Sequence, residues 1–426
     1  LKKTIISNGF FALLLILSVN TFGQATYNSP YSRFGVGDLS GNNNPVISGM
    51  GGITAAFRDI AIVNHQNPAS YTAFDTLSFV VNGGVSQRLS TWKSQTLSAQ
   101  TEHSSLGYIR LGFPVTSRLK VSIGLNPYSN IGFNITSPQS LPDIGNFEYI
   151  YDGTGGLNSF YGGIGFKPAK GLSVGLNLSY MWGNLEYNNY STFPDSAYYW
   201  STKESEYTHV SDVRLNYGLQ YESQLSENWS SVIGATFSNQ TSLSSWKTTT
   251  TTMLLRSSDG IEYVGDTIRN ASKSDGAITL PMNAALGLMF VNKNFFKFGI
   301  EYRMEQWSNY NYFGVADTLQ DASRFAIGGE ISPQHNVLSP YWKKMNYRFG
   351  FHYDAGILKI NDTRINEYGM SFGIGLPVSQ SYSSVNLGIE IGKRGTTNNN
   401  LISENYFKFT LGISLFERWF IQRKYQ

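Results

Sequence analysis

Between Asn294 and Gln306 the chain alternates strictly. Phe296, Phe298, Ile300, Tyr302 and Met304 form one set, and Lys297, Gly299, Glu301, Arg303 and Glu305 the other. A period of two puts the sets on opposite faces of a β-strand. Fourteen such runs, of roughly ten residues each, recur from Leu77–Arg88 to Tyr406–Leu415 with turn-rich segments between them. Along one of them Leu172, Val174, Leu176 and Leu178 oppose Ser173, Gly175, Asn177 and Ser179. The links are alternately tight, as at Thr116–Arg118 and Pro168–Gly171, and long, as at Ser129–Asn158, Asn188–Val210 and Ser244–Ala277. Ser332–Lys343 is longer than the other tight links. Alternating connections of this kind suit a membrane barrel with brief periplasmic turns and extended extracellular loops. The long loops, including Thr248–Thr252, are expected to continue as hairpins above the membrane, with Ser258, Asp259 and Gly260 as one tip.

The N-terminus adds a location. Lys2 and Lys3, an apolar stretch from Phe10 to Val19, and small residues around Thr21, Gly23 and Ala25 read as a signal peptide cleaved near Gly23. No later segment offers the roughly twenty apolar residues a spanning helix needs. A membrane-spanning mature chain must then be a closed sheet. The expected fold is all-β: a single-chain antiparallel transmembrane β-barrel of about 14 strands in the outer membrane of a Gram-negative bacterium. Residues 1–23 are the signal peptide, 24–76 an N-terminal hatch or plug segment, and 77–426 the barrel. A soluble propeller would show a repeat of about forty residues, and none is visible.

Composition agrees. Charged residues make up 14% and aromatics 15% of the chain, with 43 Gly and no Cys. There is thus no disulfide or thiol chemistry, and a scattered net charge of +3 argues against nucleic acid.

The segment from Gly49 to Ala69, with Gly49, Met50, Gly51, Gly52, Ala55, Ala56, Asn67 and Pro68, resembles the N-terminal signature of the FadL/TodX family of outer-membrane barrels. ITLPMNAALGLMF at Ile278–Phe290 is similar to a Leu-Pro strand of that family. The resemblance implies a fourteen-stranded barrel with its N-terminal segment folded into the lumen, and passage of hydrophobic small molecules. It equally covers PorV-like accessory barrels of type IX secretion. The end of the chain, Phe416 to Lys424, is more similar to the latter. Tyr27–Asn44 is either part of a plug or a periplasmic tail. Gly49, Gly51 and Gly52 lack the Lys-Ser/Thr of a phosphate loop.

Candidate chemistry is sparse. His65, His103, His209, His335 and His352 have no carboxylate, cysteine or second histidine at metal-ligand spacing in the sequence, so no metal or cofactor is expected. Strand parity sets Arg348, His352 and Asp354 on the lumen side, but no serine is placed to complete a hydrolytic triad, and no enzyme is expected. The lumen-side charges are Lys297, Glu301, Arg303, Glu305, Arg324, Glu330, Arg348, Asp354, Glu367, Glu390 and Lys408, with His352 among them. Their mixed signs suggest a cross-strand ion-pair network. An apolar pathway would need the N-terminal half of the barrel or residues such as Phe34, Val36 and Phe57.

Two functions remain. One is an accessory or structural subunit of a larger outer-membrane secretion or assembly complex. The other is a hatch-gated passive transporter of small hydrophobic molecules. Expected partners are outer-membrane lipid and lipopolysaccharide, other outer-membrane or periplasmic proteins, and a hydrophobic small molecule.

Overall fold

The computed structural model describes residues 29–41, 43–142, 145–193, 199–256, 262–270, 273–292, 295–333, 339–378 and 382–418. The expected signal peptide, the Ser258–Gly260 tip, His335 and the residues after Arg418 lie outside these.

Fourteen antiparallel strands close into a barrel. They are β1 (Ser78–Lys93), β2 (Ser98–Pro114), β3 (Leu119–Pro127, continued by Ser129–Leu141), β4 (Gly145–Ala169), β5 (Leu172–Thr192) and β6 (Ser201–Gln224). Then come β7 (Trp229–Ser238, continued by Thr241–Arg256), β8 (Ser274–Leu280, continued by Asn283–Asn292), β9 (Phe296–Glu305) and β10 (Ala322–Ile331). The wall ends with β11 (Asn346–Ala355), β12 (Glu367–Pro377), β13 (Ser384–Arg394) and β14 (Ser403–Arg418). Every strand pairs with its neighbours in sequence. β14 closes on β1 in unbroken register from Arg418↔Ser78 to Ser403↔Lys93. Closure leaves no wall edge to be satisfied by lipid.

Alternation decides which face meets lipid. On β9, Ile300, Tyr302 and Met304 are exposed outward while Glu301 is 3% exposed inside. On β5, Val174 and Leu178 face out and Ser173 and Asn177 are buried inward. An exposed apolar surface of this extent is unstable in water and stable in a bilayer. The chain is an outer-membrane barrel.

The links expected as long loops continue as paired strands. β4 runs for 25 residues and pairs with β3 from Ile131↔Gly155 to Leu141↔Gly145. Its Asp-Gly-Thr-Gly-Gly stretch reads as a turn but forms a bend in a continuous strand. Gly155 and Gly156 take φ of +115° and +148°, where side chains are strained and where a Cβ would strike the Asn184 and Ser129 carbonyls. The Thr248–Thr252 run lies within the continuation of β7. The other tight links stay tight, and the longer one carries a single helical turn, Tyr341–Lys344.

Much of the lumen is filled. Residues 29–41 and 43–74 lie inside and include α1 (Pro45–Ser48) and two short 3-10 turns, Pro30–Arg33 and Pro68–Ala73. One apolar cluster gathers Met50, Ile53, Phe57 and Ile62 against Val232 and Met289 of the wall. A second joins Tyr71 and Phe74 to Val80, Tyr161 and Phe416. Toward the ends where the strands run long, Tyr31 and Val36 pack with Trp92, Leu157, Trp307, Leu358 and Leu401. Val36 and Phe57, considered above as linings of an apolar path, are instead buried in these packed clusters at 1% and 0% exposure.

Candidate functional site: the lumen and its chamber

The N-terminal segment is held because its backbone polar groups find partners on the wall. Asn44 caps α1, accepting from Val46 N at 2.9 Å. After α1 the chain turns at Gly51 and Gly52, whose φ of +72° and +82° favour glycine. Beyond the turn, the buried Glu301 carboxylate accepts from Thr54 N and Ala55 N at 2.5 and 2.6 Å, as an anion does at a helix N-terminus. Asn67 caps the second 3-10 turn through Ala69 N at 3.1 Å and donates to Ala55 O at 2.5 Å. Met50, Asn67 and Ala69 have no exposure.

Close approach needs a wall without side chains. Gly350 and Gly328 face Met50 and Gly51, Gly373 faces Gly49, Gly234 faces Ala55, and Gly218 and Gly175 face Asn67, Pro68 and Ala69. At most of these positions a Cβ would collide with the segment's backbone. Much of the glycine in this composition therefore forms a band on which the Gly49–Ala69 stretch is seated.

The lumen charges fall into two groups. The first grips the segment. Lys297 reaches Asp59 and Glu330, both at 3.0 Å. Arg303 Nη2 meets Glu301 at 2.9 Å and Thr54 Oγ1 at 2.8 Å. Arg324 donates to Gly51 O at 3.1 Å and pairs with Asp354 at 3.1 Å. Arg348 pairs with Glu330 at 2.6 Å, with both side chains buried. Glu305 lies at the edge of this group, accepting from Asn283 Nδ2 and Trp307 Nε1.

The second group lines a cavity of about 500 Å³ between Gly52, His65 and Gln66 on one side and Tyr31, Asp38 and Leu358 on the other. His352, Asp354, Glu367, Glu390 and Lys408 face it. So do residues not singled out from sequence. Arg88 pairs with Glu404 at 2.9 Å, and Arg394 with Asp38 at 2.9 Å. Tyr406 donates from one hydroxyl toward Glu367 and Glu390. Arg88 shares the inward parity of Ser86 and Ser90, so alternation marks its face, whereas its partner requires the β1–β14 register. Arg110, donating to Val63 O at 3.2 Å and Asn126 Oδ1 at 2.8 Å, is likewise missed. Arg303 Nε, Arg214 Nε, His103 Nδ1 and Glu404 Oε2 are buried without a protein partner.

Two electrostatic features follow. His65, over Tyr161 at 5.7 Å between ring centres, is held well below the ordinary histidine range by burial and by Arg110 and Arg303. Its imidazole is neutral at physiological pH. The expectation that no histidine sits at metal-ligand spacing holds along the chain but not in space. Among the described residues, ligand atoms of His352, Glu367 and Glu390 lie within 4.8 Å of one another, brought together by β11, β12 and β13.

The fold is shared with solved structures. The Ralstonia pickettii toluene transporter TbuX superposes with a TM-score of 0.58 at 14% identity, over 90% of this chain and 99% of that one. A Pseudomonas aeruginosa FadL homologue gives 0.57 at 11% identity, over 93% and 100%. The Pseudomonas putida toluene transporter TodX gives 0.54 at 13%, over 90% and 100%. At these identities the likeness is one of fold. No curated protein matches. The BamG family model matches residues 2–426, and the chain belongs to the BamG family.

Proposed function

We propose that this barrel is an accessory or structural subunit of a larger outer-membrane assembly, in which it holds or presents a partner rather than conducting a solute. The observation that carries this reading is the largely filled lumen. The segment from Asn44 to Phe74 is seated on wall glycines, pinned by Glu301, Lys297 and Arg324, and covered by the Tyr31–Trp307 apolar cluster. Opening a path means breaking buried charged contacts at about 3–5 kcal/mol each when one side is left unpaired. A barrel so closed offers its outer surface for function. The surface available includes exposed aromatics at Tyr341 and Trp342 on the tight-turn side and the extended hairpins on the other.

The test is purification through a tag on this protein in mild detergent, with the composition measured. Stoichiometric co-purification of other outer-membrane or periplasmic proteins is expected. Recovery of the lone barrel at every detergent strength overturns the reading.

One observation favours the second reading, passive transport of a hydrophobic solute. The β2–β3 ladder stops at Ile109↔Leu125, just before the break of β3 after Pro127, while β2 continues to Ser98. Asn126, Pro127 and Tyr128 at this break line the chamber, and Asp38 and Leu39 pair with the continuation of β3. This interruption is a lateral way into the chamber if residues 38–39 release it. Uptake of a hydrophobic probe into liposomes, abolished by cross-linking Leu39 to Ser129, supports transport. Uptake no faster than through protein-free vesicles rejects it.

A further inference from the structure

The unused feature of the chamber is the way four adjacent strands converge on one point. In lateral register His352 of β11 lies beside Gly369 of β12, Gly369 beside Gly392 of β13, and Gly392 beside Tyr406 of β14. The two glycines make the space. A Cβ on Gly369 would collide with the His352 ring and come within 3.0 Å of the Tyr406 hydroxyl, and one on Gly392 would overlap the Tyr406 ring. Histidine and tyrosine therefore lean toward each other across two positions without side chains, and Glu367 and Glu390 reach the same place from β12 and β13.

The proton count there does not close. Tyr406 Oη lies 2.7 Å from Glu367 Oε1 and 2.9 Å from Glu390 Oε1, yet a phenol has one proton to give. His352 Nε2, on a side chain 2% exposed, is 3.9 and 4.0 Å from those two oxygens and 3.6 Å from Asp354 Oδ2, all beyond hydrogen-bonding distance. Nearby cations are committed elsewhere. Arg324 pairs with Asp354, Arg88 with Glu404 and Arg394 with Asp38, while Lys408 Nζ reaches Asn43 Oδ1 at 2.7 Å. Among the described residues, neither Glu367 nor Glu390 has a lysine or arginine nitrogen within 4.0 Å. Two half-buried carboxylates thus converge with one donor between them.

We propose that His352 Nε2, Glu367 Oε1 and Glu390 Oε1 bind a divalent transition-metal ion of the zinc or manganese type. One imidazole nitrogen with two carboxylate oxygens is a donor set for such an ion, whereas calcium prefers oxygen alone. Ligand atoms around a tetrahedral zinc are about 3.4 Å apart, so small side-chain rotations toward a central cation bring the three into range. The Tyr406 hydroxyl, relieved of one carboxylate by the ion, is left with a single acceptor. The ion then ties β11, β12 and β13 together directly, and β14 through Tyr406, on the chamber side.

The experiment uses the full-length barrel folded in detergent, stripped with a chelator and titrated with Zn(II), then with Mn(II). One equivalent bound is expected, with X-ray absorption of the zinc form reporting one imidazole among oxygen donors. Glu367→Gln and Glu390→Gln keep side-chain size and are expected to weaken binding about tenfold or more. Glu404→Gln, in the same chamber but paired with Arg88, should leave affinity unchanged. Heat-modifiable gel mobility checks that each variant is folded, and the wild-type stoichiometry and spectrum decide the matter if either is not. Absence of stoichiometric binding, an absorption spectrum without imidazole, or equal weakening by Glu404→Gln overturns the assignment. So does a metal-independent rise in stability of Glu390→Gln with no zinc response in wild type, which marks a proton shared between the carboxylates instead.

Discussion

The two sides of the wall hold the same N-terminal segment by different chemistry. From β4 to β6 the contacts are mostly neutral, beside a pair of Arg58 with the 39% exposed Glu222 of β6 at 3.4 Å. Asn177 donates to His65 O at 2.6 Å and accepts from Tyr71, Gln220 donates to Ala55 O at 2.9 Å, and Asn216 donates to Gln66 O at 3.0 Å, with Gly165, Gly175 and Gly218 between them. From β9 to β11 the contacts are ionic: Glu301 on two backbone N–H groups, Lys297 on Asp59, and Arg324 on Gly51 O. Neutral bonds cost about 1 kcal/mol each to exchange for water, whereas a buried charge stripped of its partner costs several. The segment is therefore held more firmly on the β9–β11 side than on the other.

The largest test of this asymmetry is Glu301→Ala. It leaves Thr54 N and Ala55 N without their acceptor and Arg303 without its carboxylate, and should destabilise the folded barrel by about 3–5 kcal/mol, read as a lower denaturation midpoint. On the neutral side, Asn67→Ala removes a cap and a buried donor and should cost about 1–2 kcal/mol. A loss there equal to that of Glu301→Ala breaks the comparison. A pH series probes His65, which feels Arg110 of β2 and Arg303 of the ionic side. Because its folded pKa lies below the unfolded value of about 6.5, the folded state binds fewer protons. Stability is full above that pH and falls below it by up to about 1.4 kcal/mol per unit. His65→Gln should flatten that slope, and an unchanged slope places the acid sensitivity elsewhere. The smallest effect is expected outside the lumen. Breaking the half-exposed Lys203–Glu262 pair, at 3.1 Å, with Lys203→Met should change stability by about 0.2–1 kcal/mol.

How much of this was legible follows from what each residue contacts. Ile300, Tyr302 and Met304 all face one medium, lipid, so their alternation alone identifies their side. Glu301 shows its face by the same parity, but its acceptance of Thr54 N and Ala55 N joins residues 247 and 246 positions apart, and no local pattern encodes that. The Gly49–Ala69 stretch was visible as a motif. Its seating was not, because it depends on glycines from six or more strands falling at one height. β4 was read short because Gly155 and Gly156 carry the composition of a turn, whereas their positive φ serves a bend inside the strand. His352, Glu367 and Glu390 are separated by 15 and 23 positions in the chain and become neighbours through the β11–β12–β13 register alone.

The rim of the barrel is not level. β4, β5 and β6 run for 25, 21 and 24 residues, against 10 for each of β9, β10 and β11. Eleven to fifteen extra residues at about 3.3 Å each, tilted as barrel strands are, raise one flank roughly 25–35 Å above the other. A large body meeting the outer end is screened by the tall flank and reaches the mouth from the low side alone. Such a surface has a single open direction of approach.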